Sequence, residues 1–176
     1  METHKQHTDK SQPSESSHAM SHSGNTHEGS YGKLALMAVL SFASMYVLMY
    51  SMVDRFANVI PNVNQIYMAG LMTMPMLIIE VLLMSAMYPD KRRNALIIAV
   101  STLALVGFFW FIRQQTAVSD RQFVKSMIPH HAAAILMAKE AELKDPELIK
   151  LKDDIITAQE KEIAQMKAKL AQLDSE

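Results

Sequence analysis

The chain has 176 residues, 49% of them hydrophobic, and a net charge of −1, but its apolar residues fall in three long runs instead of being spread evenly. That distribution excludes one ordinary water-soluble domain, and the lack of a basic, aromatic-interleaved patch excludes nucleic acid as a partner. There is no cysteine, which excludes disulfides and thiolate metal sites; the excess is in methionine, at 15, beside 7 histidines.

Residues 1–32 read as a polar tail with no apolar periodicity, so disorder is expected there. No apolar core follows a short basic start, so it does not read as a signal peptide. His4, His7, His18, His22 and His27, with Met20, are open to two readings: loose metal capture, or a solvated tail that happens to contain histidine.

Residues 33–113 read as membrane. Three spans are expected, at about 34–52, 66–87 and 95–112, each near the ~20 residues a helix needs to cross the hydrocarbon core. Gly70 and Pro75 would break a soluble helix but are tolerated in a bilayer helix, where neighbouring groups satisfy the freed carbonyl. Tyr67, Tyr88 and Trp110 suit the interfaces. The loop after the second span carries Lys91-Arg92-Arg93, whereas the loop after the first carries only Arg55 against Asp54. Cationic loops stay in the cytoplasm, so the tail is expected inside and the C-terminal region outside an inner membrane. Lys33 agrees with this; Arg113 and Arg121 point weakly the other way. Glu80 lies mid-span, where a carboxylate is costly and flags a functional site, and Thr73, Met76, Met84 and Met87 share its face. Met45, Met49 and Met52 form a similar stripe on the first span. Together these methionines would line a soft-metal path; the simpler reading is helix packing, with Glu80 protonated or bonded to a neighbour.

Residues 114–176 change to the pattern of a soluble helix pair, at about 120–143 and 145–173. Ser119 with Gln122 spells a capping box, and Asp145-Pro146-Glu147 spells an N-cap followed by proline at the first helical position. Leu148, Leu151, Ile155, Gln159, Ile163, Met166, Leu170 and Leu173 recur at steps of three and four, giving one apolar stripe. Two helices bury little core, so the stripe should be covered by a second copy, forming a four-helix arrangement, or by the membrane spans.

Within this hairpin, Met127-Ile128-Pro129-His130-His131 places a thioether one helical turn below two imidazoles, with Met137 two turns beyond His130. Pro129 frees the Lys125 carbonyl and alters the aim of both rings. Thioether and imidazole without thiolate suit Cu(I) or Ag(I), and imidazole alone also suits Cu(II) or Zn(II). On the second helix Glu162 and Met166 stand one turn apart, and Gln159 is polar on an apolar line, placed to hydrogen-bond an inward group such as an imidazole. Methionine at helical spacing also serves as plain core filler, and an adjacent histidine pair is by itself a weak signal.

Asp120-x-x-Phe123, Met127-Ile128-Pro129-His130-His131, Ala134-Ile135-x-Met137-Ala138 and Ile155-x-x-x-Gln159-x-x-Glu162-Ile163-x-x-Met166, in that order, resemble the DUF305 family over about residues 119–170. The resemblance implies a ferritin-like helical bundle and copper or silver binding in a bacterial periplasm. It also implies Met127, His130, His131, Met137 and Met166 as metal ligands, supported by Gln159 and Glu162. Longer members carry two such helix pairs and this chain carries one. The combined expectation is an all-α protein: three transmembrane helices, then a soluble hairpin that is half of a four-helix bundle completed by oligomerisation. Its function would be copper sequestration or hand-on, with Met76, Glu80 and Met84 as secondary membrane candidates. No nucleophile–base pair is present and the paired Glu-x-x-His motifs of di-iron bundles are absent, so catalysis is not expected. The alternative is a metal-free interaction module whose hairpin drives assembly of a membrane complex.

Overall fold

A computed structural model describes residues 23–175, with side chains from Gly29 onward. His4, His7, His18, Met20 and His22 lie outside the described residues, as does the side chain of His27. Among the described residues the fold is all-α, with helices α1 (Ser23–Leu48), α2 (Val63–Leu83), α3 (Lys91–Gln114), α4 (Asp120–Glu140) and α5 (Pro146–Ser175). Short 3-10 turns at Met49–Met52 and Phe56–Asn58 lie between α1 and α2. Three segments, Gly29–Met52, Val63–Leu83 and Lys91–Gln114, are long and apolar enough to span a membrane.

The helices begin earlier than apolar runs alone predict. α1 starts at Ser23, inside the segment expected to be an unstructured tail. α2 starts at Val63 because the Asn62 side chain accepts a hydrogen bond from the Gln65 N–H at 2.9 Å. α3 starts inside the cationic loop because the Asp90 carboxylate accepts from the N–H groups of Arg92 and Arg93 at 2.9 and 3.0 Å. Those two backbone bonds, the Arg93 bond foremost, and the Arg92 and Arg93 charges outweigh desolvation and hold the Asp90 carboxyl below its usual range.

The span helices present apolar side chains outward, with Val39, Leu40, Leu96, Leu103 and Val106 all more than half exposed, as lipid-facing residues are. Where α2 meets α3 the seam is made of small residues. Ala69, Thr73 and Ser101 are buried, and a Cβ on Gly70 would stand 2.5 Å from the Phe108 ring. At the end of the bundle nearest the Lys91-Arg92-Arg93 run, Leu34, Val81 and Tyr88 form a small core. The Tyr31 hydroxyl donates to Asn94 Oδ1 there at 2.8 Å, and the Arg93 guanidinium lies 5.6 Å from the Tyr31 ring centre.

The opposite end carries the α4–α5 hairpin. Gln115 ends α3 in the left-handed region (φ 50°) and Ala117 follows it there (φ 58°). These two residues turn the chain sharply away from the span, a conformation that costs non-glycine residues about 1–2 kcal/mol each. Asp145 caps α5 as expected, its side chain accepting from the N–H groups of Glu147 and Leu148 at 2.8 and 3.1 Å. The Ser119 capping box does not form. Ser119 makes no side-chain cap bond, and Gln122 Oε1 turns outward to accept the Val63 N–H at 3.2 Å, tying the start of α4 to the start of α2.

The hairpin core is Val124, Ile128, Ala132, Ile135 and Ile163, with Met166 and Leu170 alongside. It is completed by Val53 and Ile60 from the loop between α1 and α2, so the membrane region covers the near half of the apolar stripe. Arg55 of that loop reaches Glu160 on α5 at 3.8 Å, and Lys139 on α4 reaches the same carboxylate oxygen at 2.8 Å. The far half is open: Met137, Leu148, Leu151 and Ile149 are 54, 49, 53 and 38% exposed.

Candidate metal site

The sequence places Met127, His130, His131, Met137, Glu162 and Met166 in one group. The structure distributes them among four environments. His131 faces α5, half-buried. Its Nδ1 lies 2.9 Å from the Met127 carbonyl oxygen and its Nε2 lies 2.8 Å from Glu162 Oε2. A carbonyl oxygen only accepts, so Nδ1 carries a hydrogen. The remaining nitrogen is held by the carboxylate, and a metal ion at His131 requires release of one of these contacts. Glu162 and the Met127 carbonyl together thus fix the orientation of the His131 ring.

His130 points elsewhere. Its ring is exposed and makes no hydrogen bond among the described residues, and it stands edge-on to the His131 ring with the ring centres 6.1 Å apart. With Met127, one turn before it, His130 lines a cavity of about 400 Å³ between α4 and the membrane region. Pro129 lines the same cavity and is itself buried, so the turn it distorts is held on this wall.

Met137 and Gln159 line a second, apolar cleft at the far end of the hairpin, with Ala134, Leu148, Leu151 and Ile155. Gln159 does not bond an imidazole; its Oε1 is buried with no hydrogen-bond partner. Met166 packs against the hairpin core.

The weaker membrane candidates also separate. Glu80 stands beside Tyr88, whose phenol is pushed above its usual range by burial first, and then by the charge and hydrogen bond of Glu80. Met76 is half-buried on α2, and Met84, 39% exposed, caps its C-terminus with an N–H to the Glu80 carbonyl at 2.9 Å. Met45 lines a shallow groove on α1 beside Lys33 and Met37, whereas Met49 and Met52 turn to the cavity that holds His130. Met68 on α2, which spacing arguments pass over, lines that cavity as well. The signal for it lay in depth: Met49, Met52 and Met68 flank one short loop, on the side of the membrane where the hairpin begins. Among the described residues no three His, Asp or Glu side chains converge.

Residues 111–170 match the family described as "Domain of unknown function (DUF305)". The chain is also 32% identical over 139 residues to "Uncharacterized protein L153" of Acanthamoeba polyphaga mimivirus, covering 76% of this chain and 88% of that protein. Three quarters of the chain is more than the hairpin holds, so the similarity extends into the membrane region. No solved structure matches.

Proposed function

This chain belongs to the DUF305 family, and we propose that it is a membrane-anchored protein that binds a soft metal ion for sequestration or hand-on. Copper is the favoured cargo, as Cu(I) before Cu(II), with Ag(I) and Zn(II) as alternatives. The supporting observation is that Met127 and His130 line one cavity, with the His130 ring free of hydrogen bonds while its neighbour His131 is held by Glu162. A thioether and an uncommitted imidazole one turn apart form the beginning of a soft-ion site, which supports binding as the role. Lys33 and the Lys91-Arg92-Arg93 run lie at the opposite end of the spans from the hairpin, which supports a cytoplasmic tail and a hairpin on the periplasmic side of an inner membrane. The test is an anaerobic Cu(I) titration of the detergent-solubilised full chain against a competing chelator. His130→Ala should abolish high-affinity binding while leaving the helical circular dichroism intact. Undiminished binding by that variant would refute the reading.

A second reading, assembly without metal, is favoured by the open cleft at the far end of the hairpin, where Met137, Leu148 and Leu151 are about half exposed. Self-association through that cleft would be abolished by Leu151→Glu, read by ultracentrifugation in detergent, with metal binding unaffected.

A further inference from the structure

We infer that the soft-ion site is shared between the hairpin and the membrane region, and that Met49, Met52 and Met68 supply thioether ligands to it beside Met127 and His130. The inference rests on the metal-binding reading above and adds where the rest of the ligand set comes from and which ions it admits. A single hairpin offers the cavity one thioether and one imidazole, too few for a closed site. The other three sulfur-bearing side chains on its wall come from outside the hairpin: Met49 and Met52 from the turn that ends the first span, Met68 from the start of α2. Side-chain hydrogen bonds hold these elements together. Val63 N–H bonds Gln122 Oε1 at 3.2 Å, Tyr67 Oη donates to the Thr116 carbonyl at 2.8 Å, and Asn64 Nδ2 reaches Gln115 Oε1 and Ser126 Oγ at 3.0 and 3.3 Å. α2, the α3–α4 corner and α4 are therefore fixed around the cavity and do not merely touch.

Two further features bear on which ion the cavity admits. Asn64 lines the cavity, and its Oδ1 is buried with no partner, an acceptor open to a cation or a hydrogen-bond donor. No carboxylate and no Lys or Arg side chain lines the cavity. A dication among neutral ligands would keep its full charge in a partly desolvated space, whereas the soft monovalent ions Cu(I) and Ag(I) carry less and prefer sulfur. The ligand set thus selects Cu(I) or Ag(I) over Cu(II) or Zn(II), and a bound ion would brace the hairpin against the membrane.

The test uses the full chain in detergent, titrated anaerobically with Cu(I) against a chelator and measured by X-ray absorption at the copper edge. Met49→Leu/Met52→Leu/Met68→Leu should weaken Cu(I) binding about tenfold or more, the scale on which lost partners of a metal site register. Fewer sulfur scatterers per copper should accompany the loss. Met68→Leu alone, a near-isosteric change, should lower the sulfur count even if the triple variant folds poorly. Met137→Leu should change neither quantity. Wild-type affinity and sulfur count in both Met68 variants would overturn the shared site while leaving the hairpin reading standing. Failure of the unaltered chain to bind Cu(I) would overturn both.

Discussion

Ile128 is fully buried at the point where α4, α5 and the α1–α2 loop meet, packed in one cluster with Ile135, Ile163, Val53 and Ile60. Ile128→Ala removes three carbon groups from that core. At about 0.8 kcal/mol per buried methylene the transfer loss is about 2.4 kcal/mol. The cavity left behind raises it to about 3 kcal/mol or more, within the usual range for such truncations. Leu151→Ala removes the same number of carbons, but Leu151 is 53% exposed in the open far half of the stripe, so its loss should be about 1 kcal/mol. The assay is amide hydrogen exchange of the detergent-solubilised chain, which reads local opening without assuming one cooperative transition. Exchange in the middle of α4 and α5 should accelerate about 100-fold for Ile128→Ala and roughly fivefold for Leu151→Ala. The α1–α2 loop should lose protection together with α4 in the first variant. Equal acceleration in the two variants would refute the reasoning, because it would mean that the far stripe is as well covered as the near one.

Two further outcomes follow from particular contacts. Gly70→Ala should destabilise the α2–α3 pair by about 1–3 kcal/mol through overpacking against Phe108, and Gly70→Ala/Phe108→Leu should recover part of that loss in thermal unfolding in micelles. The Glu160 carboxyl is held below its ordinary value of 4.5 by the Lys139 hydrogen bond first, then by the Lys139 and Arg55 charges. A lowered folded value means that its contribution is present above pH 4.5 and is lost as pH falls through the folded value. Protection of the loop at residues 53–62 should therefore decline with acid below that point, and Glu160→Gln should flatten the decline.

The three spans, their order and the hairpin were legible in the sequence because each rests on a local signal: an uninterrupted apolar run, the Asp145-Pro146 start, or a stripe at steps of three and four. Helix starts were less legible, because polar caps extend the helices beyond the apolar run that announces them. Asp90 draws α3 back into the cationic loop, and Gln122, read as half of a capping box, bonds α2 instead. The grouping of site residues was the least legible. Periodicity ranks residues on one helix and says nothing of what the facing element brings. It joined Met137 to His130 because they are seven residues apart, whereas the structure puts Met137 in the far cleft and sets Met68, more than 60 residues away in sequence, on the wall that His130 lines. The reason is physical. An α-helix rises 1.5 Å per residue, so a seven-residue step carries Met137 about 10 Å along the axis from His130, besides drifting about 20° around it. His130 lies near the boundary between the face that meets α5 and the face that meets the membrane region. Its neighbour His131 falls on one side of that boundary and is taken by Glu162. His130 falls on the other, toward Met49, Met52 and Met68. A pair adjacent in sequence is thereby divided between two faces, one meeting α5 and the other meeting the membrane region.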